Sequence, residues 1–188
     1  MARPKSDDKR SAILAAAIRV IVKQGLGAPT ATIAREAGIA NGSLFTYFET
    51  KADLFNQLYL ELKTGMAAAA SDGLSHKATL RVQCARMWSN WTRWAAKHPD
   101  SRRALALLGV FGDLTAETRA AAHQAMVPVA VTLERARSKG PLRNSPMNFA
   151  IAMMNSLAET TMDFMIQDPK HADEHSKVGF EALWRMLN

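Results

Sequence analysis

The chain has 188 residues, which is room for one medium helical domain or two small ones. Hydrophobic residues make up 48% and charged residues 22%, close to the averages of globular proteins, so wholesale disorder and fibrous repeats are excluded. The single cysteine, Cys84, can form neither an intramolecular disulfide nor a multi-cysteine zinc site, which indicates a reducing compartment. A formal charge of +7 is compatible with an anionic partner but does not identify one.

The N-terminal segment is rich in charged side chains at the place where a secretory signal requires an apolar core. We therefore expect a cytoplasmic protein. Apolar runs fall well short of the ~20 residues that cross a bilayer, so we expect neither a membrane span nor a membrane partner.

Apolar residues recur at helical spacing along most of the chain, and strict two-residue alternation is nearly absent. The pattern predicts an all-α protein of about nine helices, three small ones followed by mostly longer ones. Thr30 or Thr32 is the expected cap of the second helix, and Thr50 with Asp53 has the spacing of a capping box before the fourth. The predicted helices are about 7–24, 30–38, 41–48, one from 51, one ending near 97, one from 99, about 115–139, and two more from 146 to the C-terminus.

The domain boundary is expected near residue 50. Residues 1–50 would form one domain and residues 51–188 the other. Since no repeat or low-complexity linker separates them, we expect the boundary to be packed rather than flexible.

The most informative segment is the pair of short helices around a tight glycine turn, which is a helix-turn-helix pattern. At 100° per residue, Leu44 and Phe48 fall on one side of the second helix of the pair, and Ser43, Thr46 and Tyr47 fall on the opposite side. One face is therefore predicted to pack, and the other is free to enter a major groove. A helix-turn-helix also occurs in proteins that never touch DNA, and a single exposed tyrosine is as often an ordinary surface residue.

The segment carries Ala37-Gly38-Ile39, Gly42-Ser43-Leu44 and Phe48-x-x-Lys51-x-x-Leu54 in one register. Over roughly residues 9–55, this register resembles the DNA-binding region of the TetR family of bacterial repressors. The resemblance implies an N-terminal helix-turn-helix domain packed on a larger antiparallel helical domain that binds an effector and dimerises. The sequence contains no complete P-loop, dinucleotide-binding motif or nucleophile elbow, so we expect neither an enzyme nor a cofactor. The residues that the resemblance places at double-stranded DNA are Thr30, Thr32, Asn41, Gly42, Ser43, Phe45, Thr46, Tyr47 and Lys51.

Phe45 departs from the family pattern, which usually has tyrosine at this position. A phenolic hydrogen bond to phosphate would then be absent. The alternative function is therefore a helical protein-interaction or ligand-binding module that does not bind DNA. A steep fall of duplex affinity with ionic strength distinguishes the two functions, because it reports phosphate contacts.

The fifth predicted helix carries a stripe of tryptophan and methionine residues, which has two interpretations. The stripe is either ordinary core packing or the lining of a cavity for a small, largely apolar effector. The predicted ligand-binding residues are Trp88, Trp91, Phe111 and Met126. Pro128 is expected to kink the long helix beside this cavity.

The segment 146–167 contains only two charged residues and is apolar on two sides, so both sides require burial. One side is expected to face the chain's own core and the other a second copy of the chain. This segment and the last helix together predict a two-fold dimer through a four-helix interface. Such a dimer suits a palindromic operator, from which an effector would release the protein. The predicted interface residues are Phe149, Met153, Leu157, Phe164, Phe180, Leu183 and Trp184.

His171-Ala-Asp-Glu-His175 matches the H-x-x-E-H pattern of one class of metallopeptidases. Such a site needs a third protein ligand, and the only later carboxylate, Glu181, is six positions on. We therefore predict no metal site and no catalytic residues, and expect the two histidines to be solvated near a helix start.

Overall fold

The structure is a computed structural model that describes residues 5–75 and 77–188. Helices account for the regular structure of this part of the chain, and it contains no β-strand, which confirms the all-α prediction. No helix within these ranges combines the length and the apolar character needed to cross a membrane. The helices are α1 (Lys5–Gln24), α2 (Thr30–Glu36), α3 (Asn41–Leu44), α4 (Lys51–Ser71), α5 (Leu80–Lys97), α6 (Pro99–Gly109), α7 (Ala116–Arg137), α8 (Met147–Gln167) and α9 (Ala172–Leu187), with a 3-10 turn at Pro169–His171 before α9.

The chain divides into two compact units. Unit one comprises the chain up to Lys63 together with Pro99–His123, and unit two comprises Thr64–His98 and Gln124–Asn188. The predicted boundary near residue 50 therefore falls inside unit one. The reason is that the first half of α4 and the whole of α6 belong to the same compact unit as α1, α2 and α3, and α6 lies directly against α1.

The core of unit one is built on the apolar stripe of α1. Aromatic rings extend this core into α4, where Phe55 meets Phe111 edge to face with 5.3 Å between ring centroids. Burial of these side chains supplies the main stabilisation of a small helical unit. The most buried residues of this core are Ile13, Ala17, Ile21, Ile33, Leu44, Phe48, Leu54, Phe55, Leu58 and Leu108.

The turn between α2 and α3 closes as a Schellman motif. Gly38 has a φ of +70°, its N–H donates to the carbonyl of Arg35 at 3.1 Å, and the N–H of Ile39 donates to the carbonyl of Ala34 at 3.0 Å. A residue with a Cβ is strained at this φ, so the glycine allows α3 to leave α2 at once.

Two predicted helix ends are wrong in detail. The helix α3 ends at Leu44 rather than Phe48, because the N–H groups of Phe45 and Thr46 bond three residues back and tighten the chain into turns. The cap of α2 is Pro29, without a side-chain hydrogen bond, so neither Thr30 nor Thr32 caps it.

A buried amide fixes the loop between α6 and α7 on α4. Asn56 is 7% exposed, and its Nδ2 donates to the carbonyls of Ala52 and Asp113 at 2.8 and 2.9 Å. Its Oδ1 accepts the backbone N–H of Thr115 at 2.9 Å. All the polar atoms of this side chain are thus used within unit one.

The core of unit two lies between α5, α8 and α9. Trp88 is 3% exposed, and its indole N–H donates to the carbonyl of Ser176 at 2.8 Å. Gly179 lets α9 approach closely, since a Cβ there would lie 2.9 Å from Cζ2 of Trp88. Cys84 belongs to this core, and burial raises the pKa of its thiol to about 11, which agrees with a packed thiol rather than a nucleophile.

The loop that leads into α8 is held by the guanidinium of Arg137. Its Nη1 donates to the carbonyls of Leu142 and Ser145 at 2.7 and 2.6 Å, and its Nε pairs with Glu134. These charge-assisted bonds satisfy loop carbonyls that have no helical partner, and they set the point where α8 begins.

Candidate nucleic-acid interface

The helix-turn-helix has a buried inner face and a polar outer face. Leu44 and Phe48 are 0% and 1% exposed, whereas Ser43 and Thr46 lie at the surface and Tyr47 is half-buried. This division confirms the two-sided pattern predicted for residues 41–48. The hydroxyl of Thr46 donates to the carbonyl of Ser43 at 2.7 Å, while the hydroxyls of Ser43 and Tyr47 have no hydrogen-bond partner among the residues that the structure describes.

The other residues predicted at DNA surround this face. Asn41 and Gly42 are exposed in the first turn of α3, and Phe45 exposes 44% of its surface. Thr30 and Thr32 are half-buried in the first turn of α2. All five are accessible to a large ligand, and their contacts with DNA stay a prediction.

A shallow concavity of about 360 Å³ opens beside α3. Its lining contains one cationic side chain, Lys9 of α1, and no carboxylate. Sequence reasoning does not single out Lys9, because the periodicity of α1 shows that position 9 faces outward but not what it faces. The residues lining the concavity are Lys9, Gly38, Ile39, Ala40, Ser43, Thr46 and Tyr47.

Lys51 lies at the first position of α4, where a phosphate contact is predicted. Its Nζ is 5.4 Å from the ring centroid of Phe55, so the ring holds the ammonium close to the helix. The helix start is capped as the sequence predicts, since Thr50 Oγ1 accepts the N–H of Asp53 at 3.0 Å. The Asp53 carboxylate accepts the N–H of Glu49 at 3.0 Å instead of the N–H of Thr50.

The four predicted ligand-binding residues are divided between the two units. Phe111 belongs to unit one, where it packs on Phe55, whereas Trp88, Trp91 and Met126 belong to unit two. Trp88 is buried and hydrogen-bonded, and it meets Trp91 edge to face at 6.2 Å. Met126 is half-buried in α7. The paired tryptophans are the part of the prediction that the fold brings together.

The outer face of α8 is apolar and exposed. Phe149, Met153 and Phe164 expose 50%, 41% and 53% of their surfaces. Neighbouring large apolar side chains are rarely exposed on a helix surface, and where they are, they commonly mark an interaction site. Leu157 is half-buried beside it.

The burial of two residues of α9 contradicts their prediction as interface residues. Phe180 and Leu183 are 6% and 4% exposed and belong to the core of unit two. Trp184 is half-buried, with its ring centroid 6.2 Å from that of Phe180. The apolar stripe of α9 is therefore covered by the chain's own helices.

The two histidines of the H-x-x-E-H pattern share one carboxylate at the junction of α8 and α9. Asp168 Oδ2 lies 2.8 Å from His171 Nδ1 and 3.3 Å from His175 Nε2. The hydrogen bond with Asp168 raises the pKa of His171, and the same bond lowers the pKa of Asp168. Within residues 5–75 and 77–188, no three metal-ligating side chains come together in an arrangement that could hold an ion.

The fold and this polar face are those of an all-helical protein with an N-terminal helix-turn-helix. Residues 13–58 match the sequence profile of the bacterial regulatory proteins of the tetR family. The DNA-binding region is thus that of a tetR-family regulator, and the chain as a whole has the fold of solved TetR family transcription regulators.

Solved structures with the same fold span nearly the whole chain. A TetR family regulator from Shewanella sp. PV-4 is 27% identical, covers 94% of this chain and 96% of its own, and has a TM-score of 0.80. A TetR family regulator from Marinobacter aquaeolei VT8 is 22% identical with 99% and 98% coverage and a TM-score of 0.87. The regulator FadR from Bacillus subtilis, solved in complex with stearoyl-CoA, is 19% identical with 95% and 99% coverage and a TM-score of 0.68.

Proposed function

We propose that this chain is a homodimeric repressor that binds a palindromic operator and leaves it when a small, largely apolar effector binds. The observation that carries the proposal is the outer face of α3 and its following turn, where the unpartnered hydroxyls of Ser43 and Tyr47 lie above the fully buried Leu44 and Phe48. A rigid base under short polar side chains suits base-edge and phosphate contacts in a major groove. A protein that acts on bacterial DNA in this way works in the cytoplasm.

The second copy of the chain is proposed to cover the outer face of α8. The exposed rings of Phe149 and Phe164 give this face the apolar character of a subunit interface. Two copies related by a two-fold axis would present two α3 helices to successive turns of the same side of DNA, about 34–36 Å apart.

The effector is proposed to bind in unit two, among its tryptophan and methionine side chains. FadR from Bacillus subtilis, which shares the fold, was solved with stearoyl-CoA, and this supports an effector with a long apolar part. Release from DNA would require the effector to bind the DNA-free conformation more tightly, because a ligand shifts an equilibrium only by its differential affinity.

The experiment that tests the proposal is selection of duplexes from a random library by the purified protein. We expect enrichment of a palindrome bound by two chains, with affinity that falls steeply between 50 and 200 mM salt. The slope of log K against log salt measures the number of phosphate contacts, at about −0.9 for each. If a folded protein enriches no sequence, the proposal is wrong and the alternative of an interaction module is favoured.

The two tyrosines of the chain offer a matched pair of variants. Tyr47→Phe removes only the hydroxyl from the outer face of the helix-turn-helix and should weaken operator binding by about tenfold for each bound chain, since a hydrogen bond to a charged group contributes about 1.5 kcal/mol. Tyr59→Phe removes the same hydroxyl from α4, where burial raises the pKa of the phenol, and should leave the affinity unchanged. Equal effects of the two variants would count against the assigned face.

A further inference from the structure

We propose that Lys9 is a further DNA-contacting residue, whose ammonium pairs with a backbone phosphate seated in the concavity beside α3. This inference rests on the proposed DNA binding and adds to it a cation from α1, outside the helix-turn-helix itself. It concerns the backbone of the duplex and not its base edges.

The lining of the concavity favours an anion. Lys9 is its one charged side chain, and the hydroxyls of Ser43 and Tyr47 add two donors that have no partner within the described part of the chain. Gly38, Ile39 and Ala40 of the turn, together with Thr46, form the remaining wall, and the small size of Gly38 and Ala40 leaves room for a close approach. A volume of about 360 Å³, open to solvent, accommodates a phosphate with its sugar, and no carboxylate in the lining repels it.

The neighbouring cation, Arg10, cannot do the same work. Its Nη2 donates to Gln57 Oε1 at 2.9 Å and its Nη1 pairs with Glu61 Oε2 at 3.3 Å, while the guanidinium lies 5.7 Å from the ring centroid of Phe48. Arg10 is thus bound to α4 inside unit one. Lys9 is rotated by about 100° around α1 from this position, and it forms no ion pair with any residue that the structure describes.

The same helix provides a matched control. Lys23 is exposed in the last turn of α1 and does not line the concavity. It lies about 21 Å from Lys9 along the axis, at 1.5 Å per residue. That separation exceeds two Debye lengths of about 8 Å at physiological salt, so loss of Lys23 changes the net charge equally without touching the same phosphate.

The test compares Lys9→Ala, Lys9→Arg and Lys23→Ala in the full chain, each bound to the duplex selected by the wild-type protein. For Lys9→Ala we expect the salt slope to become shallower by about 0.9 for each bound chain. The affinity then falls about 3.5-fold less per chain than that of the wild type when salt is raised from 50 to 200 mM. Lys9→Arg and Lys23→Ala should keep the wild-type slope. Discrimination against mismatched duplexes should be the same in all four proteins, because a phosphate contact carries no sequence information.

Several results separate this inference from the function on which it rests. A wild-type protein that binds no duplex overturns the proposed function itself. Wild-type binding with an unchanged slope in Lys9→Ala overturns only the role of Lys9. An equal decrease of the salt slope in Lys9→Ala and Lys23→Ala would mean that the effect comes from net charge, and this also overturns the role of Lys9. Thermal melts of the exposed-site variants check that each is folded, and Lys9→Gln provides a second neutral variant.

Discussion

Two helix faces of this protein are exposed to a similar degree but differ in chemistry. On α3 and its following turn, Phe45 exposes 44% of its surface among hydroxyl-bearing residues, and Lys9 lies nearby. On α8, Met153 exposes 41% between the exposed rings of Phe149 and Phe164. The extent of exposure therefore does not distinguish the two faces. Their donors and charges do, and they suit the first face for a polyanion and the second for an apolar protein surface.

The two faces also differ in what their exposure costs. Hydroxyls and an ammonium are well solvated, so the polar face is stable in water without any partner. Apolar rings in contact with water are not, at about 25 cal/mol per Å² of apolar surface. A partner of the α8 face would therefore gain its stability from burial, and a partner of the α3 face from charge and hydrogen bonds.

The largest expected effect comes from the layer beneath the polar face. Phe48→Ala removes a ring that is 1% exposed, and it should lower the free energy of unfolding by about 3 to 5 kcal/mol through lost burial and an unfilled cavity. Phe45→Ala, on the exposed outer face, should change stability by less than about 0.5 kcal/mol. Urea titrations of both variants measure the difference. Similar losses would mean that the division into inner and outer faces is wrong.

The second prediction breaks the apolar face. The double variant Phe149→Glu with Phe164→Glu should weaken self-association at least 100-fold, because charges at an apolar interface lose hydration. Operator affinity should fall with it, while the monomer keeps its helical content. Val82→Glu on α5, where the side chain is 54% exposed, is the control that adds one charge outside this face. Sedimentation at graded concentrations tests both proteins, and a double variant that remains dimeric would exclude α8 as the interface.

The smallest expected effect is on the pH dependence of stability. It arises at the C-terminal end of α8, where Asp168 pairs with His171 and the ring of Phe164 lies 5.7 Å from that of His175. The raised pKa of His171 stabilises the fold below its ordinary value of about 6.5, and this contribution is lost as pH rises through the folded value. The lowered pKa of Asp168 stabilises above its ordinary value of about 3.9 and is lost in stronger acid. The contribution is thus greatest between these limits.

The variant His171→Gln should remove a small loss of stability between pH 6 and pH 8 that the wild type shows. Chemical denaturation at the two pH values measures it, and His123→Gln, at an exposed position of α7, is the control. The same pH dependence in His171→Gln and in the wild type would assign the effect to another group.

The sequence predicts well where the helices lie, but it predicts poorly what packs against their apolar faces. Gly38 and the capping pair Thr50 and Asp53 act through bonds to near neighbours, so local pattern is enough to find the turn and the start of α4. The early end of α3 follows from turn geometry that the apolar pattern does not contain. Likewise, the stripe with Phe180 and Leu183 shows which side of α9 is apolar, but periodicity cannot tell whether the chain itself or a second copy covers it.

The candidate site divides in the same way. The outward hydroxyls of Ser43 and Tyr47 follow from the helical period of their own segment. The proximity of Lys9 to them does not, because it depends on how α1 packs against the turn between α2 and α3. Phe111 is the opposite case, since its contact with Phe55 joins residues far apart in the chain and places it in unit one, whereas the other three predicted ligand-binding residues lie in unit two.

The side chain of Asn56 has a consequence for isotope exchange. Its amide donates to the Asp113 carbonyl and accepts the Thr115 N–H, so two backbone groups of the loop are hydrogen-bonded to one side chain of α4. Loop amides ordinarily exchange with deuterium quickly, but the Thr115 amide exchanges only when its hydrogen bond breaks and the loop leaves α4. The Thr115 amide therefore reports, at a single backbone position, how often the start of α7 detaches from the helix that begins with Lys51.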